Sequence, residues 1–131
     1  MRSSSSWRSV AVARSDEQAQ EYRELLADVE EIAPLALPSY PMRHAWHLFV
    51  VRLYTERAGM NRDTFMAELK QRNIGTGIHF KAVHTQKYYR ETLQLLDGAL
   101  PATEFNSARI CSLPLFPDMV WENVQEVVSA I

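Results

Sequence analysis

At 131 residues, with a net charge of −2, 47% apolar and 23% charged side chains, the sequence has the make-up of one ordinary globular domain. That charge gives no general pull toward nucleic acid or an anionic membrane, and no apolar run approaches the ~20 residues of a membrane span. The single cysteine, Cys111, excludes an internal disulfide and fits a reducing, cytoplasmic setting; its apolar neighbours Ile110, Leu113 and Leu115 point to a buried structural thiol.

Residues 1–15 are Ser-rich, carry Arg2, Arg8 and Arg14, and contain no acid until Asp16. Their composition faintly resembles that of an organelle transit peptide, but they are expected to be an unstructured or frame-shifted start, with residues 16–131 forming the folded domain. Ser15 followed by Gln18 has the form of a capping box, and Tyr22, Leu25, Leu26 and Val29 recur at helical spacing, which predicts an amphipathic helix from about Asp16 to Val29. Pro34, Pro38 and Pro41 then predict an extended connector.

Trp46–Leu53 is aromatic and β-branched and reads as a central strand. Trp46, Leu48 and Val50 fall on one face and His47, Phe49, Val51 and Leu53 on the other, so both faces are expected to be covered. Glu56–Gly59 reads as a loop. A helix over Arg62–Arg72 follows, with Asn61 or Asp63 as its cap and Asn73 and Gly75 suited to the left-handed backbone that stops it.

Ile74, Ile78 and Phe80 then recur at a spacing of two, as in a half-buried strand that would send His79 to the opposite side. Thr85–Leu96 predicts one or two helical turns, and Asp97-Gly98 a turn. Thr103 is a candidate cap for a short helix through Ile110, and Ser112–Leu115 for a third strand. Val124, Val127, Val128 and Ile131 mark a last helix, with Asp118 as its candidate cap and Trp121 at its exposed start. The fold class is therefore α/β: a small sheet of about three strands, at least partly antiparallel, with helices mainly on one face.

Three blocks carry a resemblance: His44-Ala-Trp-His-Leu-Phe-Val-Val-Arg52, then Asn73-Ile-Gly-Thr-Gly-Ile-His79-Phe80 with His84, Tyr88 and Tyr89, then Asn106-Ser-Ala-Arg-Ile-Cys-Ser-Leu-Pro-Leu-Phe-Pro-Asp-Met119. In this order they resemble the carboxy-terminal small domain of DegT-type nucleotide-sugar aminotransferases, over roughly Tyr22–Ile131. Within that family the combination is most similar to the UDP-4-amino-4-deoxy-L-arabinose–oxoglutarate branch. The resemblance implies a pyridoxal phosphate enzyme that moves an amino group from glutamate to a UDP-linked 4-keto sugar, in cell-envelope polysaccharide or lipid A modification. It also implies a homodimer, and a large amino-terminal domain carrying the cofactor's lysine.

Only three lysines occur, Lys70, Lys81 and Lys87, and none stands in a setting like the family's cofactor lysine. The sequence is therefore expected to be a fragment or truncated reading frame, inactive alone, that binds no cofactor by itself and depends on the large domain as its partner. The alternative is a non-enzymatic module that binds nucleotide-sugars or docks on another protein.

By resemblance, His79 projects toward nucleotide-sugar and cofactor, where a neutral imidazole accepts or donates a hydrogen bond. The bland alternative is a histidine satisfied at a strand end. His84 and Tyr88, four apart and so able to share one face of a short helix, are further substrate-binding candidates, against simple packing. Lys81 is a candidate for a phosphate of the nucleotide, against a solvated lysine. No catalytic residue and no metal ligand is assigned: His44 and His47 fall on opposite strand faces, and no cysteine pair or carboxylate joins them at zinc spacing. Gly75-x-Gly77 precedes a strand, which is the wrong place for a dinucleotide fingerprint.

Overall fold

The computed structural model describes residues 4–131. A long helix α1 (Ser4–Leu26) is followed by β1 (Ile32–Pro34), β2 (Phe49–Leu53), a single helical turn α2 (Thr55–Ala58) and α3 (Arg62–Gln71). Then come a 3-10 turn at Val83–Thr85, α4 (Lys87–Leu93), α5 (Pro101–Ser107), β3 (Ile110–Leu113) and α6 (Trp121–Ala130). The three strands form one antiparallel sheet with β2 in the centre. Leu53 pairs with Ile32 on one side, and Phe49 and Val51 pair with Leu113 and Cys111 on the other.

Alternation on β2 turns Phe49, Val51 and Leu53 to one side, where Ile32, Cys111 and Leu113 join them. Onto that face pack Ala19, Tyr22 and Leu26 of α1, Phe65 and Leu69 of α3, and Val124 and Val127 of α6. These three helices thus lie on one face, and the core is a single layer between them and the sheet. The opposite face was expected to be covered too, but Val50, Arg52 and Ile110 there are only half-buried. The sheet has one fully packed side and one more open side, on which α5 meets Arg52 through Asn106 and Phe105.

α1 differs most from expectation. It begins at Ser4, not Asp16, so residues 4–15 are helical where an unstructured start was expected; residues 1–3 lie outside the described residues. Ser15 and Gln18 are no capping box: both are buried within the helix, and the Gln18 amide donates to the carbonyls of Met119 (2.8 Å) and Pro117 (3.2 Å). Positions 15, 18, 19, 22 and 26 make one helical stripe, so the polar pair belongs to the face that docks on the loop before α6.

β1 arises inside the stretch expected to be a mere connector. It is an edge strand, where Pro34 at its end deprives no central ladder of a donor. Expected loop residues 56–58 are the helical turn α2, closed by Gly59 in the left-handed region at φ +69°. α3 starts as expected, with Asn61 Oδ1 accepting from Thr64 N at 2.8 Å, and stops at Asn73, whose φ is +62°. The amides of Asn73 and Ile74 bond back to Lys70 and Leu69, both at 3.0 Å, as in a Schellman stop.

Two strand expectations shift. β3 covers Ile110–Leu113, two residues earlier than expected. The strand expected through Ile78 and Phe80 reduces to one bridge, in which Gly77 and Ser112 exchange main-chain hydrogen bonds. Glycines at 75 and 77 offer no side chain to pack, and Phe80 is 74% exposed, so nothing holds a longer ladder.

Trp46 also leaves the expected pattern. Its φ of +49° ends the alternation before β2, so its ring enters the core beside Phe49 and its Nε1 donates to Asp16 at 2.9 Å. At the far end, Val120, not Asp118, caps α6; having no acceptor side chain, it supplies only main-chain groups, its N–H bonded to Asn123 Oδ1 at 3.0 Å and its carbonyl accepting from Asn123 N at 3.0 Å.

Candidate functional site

The bridge at Gly77 sets the site. Ser112 alternates with Cys111 and Leu113 along β3, so its hydroxyl points to the open side of the sheet while they enter the core. The chain leaving Gly77 crosses this hydroxyl, and Nδ1 of His79 sits 2.9 Å from Ser112 Oγ. Gly77 lies under the ring: a Cβ there would come within 2.7 Å of His79 Cε1. The imidazole is thereby seated between a bare backbone and the Ser112 hydroxyl, and it lines a pocket of about 220 Å³. His47, Thr76, Pro114 and Leu115 help to line that pocket.

The other candidates lie elsewhere. Lys81, His84 and Tyr88 do not line the His79 pocket. Lys81 is exposed, and Tyr88 is 69% exposed, with Tyr89 set edge-on at 5.2 Å. His84 and Tyr88 do not share one helix: His84 belongs to the 3-10 turn, and Gln86 (ψ 142°) breaks the chain before α4. His84 Nε2 is 3.2 Å from Glu104 Oε1, which also accepts from Gly98 N at 3.1 Å, so this histidine ties the α4 arm back to α5.

Ser112 and Glu104 are contacts of the candidate histidines that sequence reasoning did not single out, and Gly77 was considered only for a dinucleotide fingerprint. The one signal for Ser112 was its polar place between two core residues of a strand. Behind it, burial pushes the Cys111 thiol up to about 11, which keeps it protonated and unreactive at neutral pH. A larger hollow of about 360 Å³ opens between Pro34–Leu37 and Trp46–Val50. It is mostly apolar, and its arginine, Arg23, already donates to the Leu35 carbonyl at 3.0 Å.

Among the described residues, no three His, Cys, Asp or Glu side chains gather as metal ligands, and no helix is long and apolar enough to cross a membrane.

A profile of the DegT/DnrJ/EryC1/StrS aminotransferase family matches residues 9–131. The chain belongs to this family. The match reaches further toward the amino terminus than the blocks read from sequence, and takes in most of α1. Solved structures share the fold. DesV of S. venezuelae, in complex with a ketimine intermediate, shares 28% identity at a TM-score of 0.76. DesI in the presence of its TDP-sugar product shares 24% at 0.80, and Helicobacter pylori PseC, an aminotransferase of pseudoaminic acid biosynthesis, 21% at 0.75. In each case 92% of this chain is covered, but only 30–31% of the other. The DegT-family chain described here thus spans less than a third of the length of the structures it matches.

Proposed function

We propose that this chain is the small-domain part of a pyridoxal-phosphate-dependent sugar aminotransferase and forms one wall of its active site. The reaction we assign moves an amino group from glutamate to a UDP-linked 4-keto sugar. The three sequence blocks favour the UDP-4-amino-4-deoxy-L-arabinose–oxoglutarate branch, and hence a role in modifying cell-envelope polysaccharide or lipid A in the cytoplasm. The carrying observation is His79: in a chain of this family, an imidazole is seated by Ser112 at the edge of an open pocket.

The residues present do not fit the cofactor itself. Lys70, Lys81 and Lys87 are all exposed, and none lines the His79 pocket. The cofactor supplies the carbanion chemistry when bound, and we assign its holding to the large domain, in a homodimer of complete subunits. This chain's part is to present His79 to the bound nucleotide-sugar and to exclude water from one side. Lys81, His84 and Tyr88 are proposed to meet the ligand only once the arm that carries them is docked.

Combining the chain with a complementary large domain and measuring glutamate-dependent amination tests the assignment. A hydrogen bond to a charged group contributes about 1.5–3 kcal/mol, so His79→Ala in the assembled enzyme should lower kcat/KM by about 10- to 150-fold. Unchanged turnover would sink the wall assignment. Tight binding of a UDP-sugar by the isolated chain without cofactor would favour a free-standing binding module instead.

A further inference from the structure

We propose that Ser112 is a positioning residue that holds His79 as its Nε2–H tautomer, in a seat that Gly77 keeps open, so that the imidazole offers the pocket a hydrogen-bond donor. The tautomer follows from where the Ser112 proton can go. Ser112 is 5% exposed, and both its main-chain groups are spent on Gly77, its N–H on the Gly77 carbonyl (2.8 Å) and its C=O on the Gly77 N–H (3.2 Å). Among the described residues, His79 Nδ1 is the one hydrogen-bond partner of the hydroxyl.

Were Nδ1 protonated, Ser112 would accept from it and its own O–H would lack any protein acceptor among the described residues, the less favourable arrangement. With Nδ1 bare, the hydroxyl donates to it and the Ser112–His79 pair is satisfied. The remaining ring nitrogen, Nε2, then carries the proton. It selects an acceptor oxygen, such as a phosphate or carbonyl oxygen of a ligand, over a donor.

Gly77 has a separate part. Its φ lies outside the left-handed region, so alanine is tolerated by the backbone there, yet the added Cβ would meet the ring at 2.7 Å and push it off Ser112. Two chemically unrelated substitutions should therefore produce one effect on His79.

The role of the donor rests on the functional reading above, but the seat does not, and the test is made on the ligand-free chain. Long-range proton–nitrogen correlation spectra at pH about 8, where an ordinary imidazole is neutral, report the tautomer; His79→Gln identifies the signal. The wild-type ring should be Nε2–H by about tenfold or more over the other form. Ser112→Ala and Gly77→Ala should both relax it toward the free-imidazole mixture, and Ser112→Thr should restore it. A wild-type Nδ1–H signature overturns the proposal, as does a signal unmoved by both Ser112→Ala and Gly77→Ala. Should Ser112→Ala fail to fold, the wild-type spectrum and Gly77→Ala still decide. A retained seat with normal turnover of His79→Ala would defeat the functional reading alone.

Discussion

Tyr22 of α1 stacks on Phe49 of β2, with ring centroids 4.8 Å apart and planes 19° from parallel. The same side chain sends its hydroxyl to the Pro114 carbonyl at 2.6 Å, so one residue joins helix, sheet and the loop beyond β3. Tyr22→Phe keeps the stack and loses the hydrogen bond, which should cost about 1 kcal/mol, whereas Tyr22→Ala empties a fully buried site and should cost about 3–5 kcal/mol. Urea unfolding of the two variants separates the contributions. Equal losses would show that the hydroxyl, not the ring, holds α1 in place.

Cys111 gives the chain a pH dependence of definite sign. Burial raises its thiol from 9.0 to about 11, so above pH 9 the unfolded chain loses a proton that the folded one keeps. The stability this withholds is intact below about pH 9 and is lost as pH rises toward 11, on the order of 2 kcal/mol. Tyr22, raised by burial above the ordinary phenol value of 10.0, acts in the same direction and begins slightly higher. In denaturant melts from pH 8 to 11, Cys111→Ala should therefore lower the slope of the decline but not abolish it.

What was legible in the sequence was whatever depends on neighbours along the chain. β2 showed itself through Phe49, Val50 and Val51, and α3 through the Asn61 cap and the Asn73 stop. What misled were residues whose partners lie far away. Ser15 and Gln18 have cap spacing and also core-stripe spacing, and only the Met119 carbonyl, 101 residues on, decides between them. His79 stood out because alternation isolates an imidazole, but Ser112 lies 33 residues away and could not be paired with it. The strand expected through Ile78 failed because a spacing of two does not say whether a surface waits to cover Phe80.

Val120 leaves α6 with half a cap. Asn123 reaches back to its N–H, but valine returns only its carbonyl to the first turn and no side-chain acceptor. Val120→Ser supplies one at a site already in extended backbone (φ −104°, ψ 168°) and 49% exposed, so little packing is given up. The substitution should stabilise by about 0.5–1 kcal/mol. Thermal and urea unfolding measure it, and a neutral or destabilising result would mean that the packing of Val120 outweighs the cap.

The arm over α4 has the opposite character from the core. Every residue from Thr85 to Thr103 is exposed, among them Tyr88 at 69%, Leu93 at 51% and Leu96 at 82%. His84 with Glu104 ties the arm to the rest of the domain, and among the described residues nothing packs over its exposed apolar side chains. Apolar surface of this kind drives association. The isolated chain should therefore self-associate with rising concentration, as sedimentation velocity would show. Leu93→Lys with Leu96→Lys should shift it toward monomer while changing unfolding free energy by no more than about 0.5 kcal/mol, because these are surface positions. Undiminished association in the double variant would place the contact on another face. A large loss of stability would show that the arm is folded against the domain more tightly than its exposure allows.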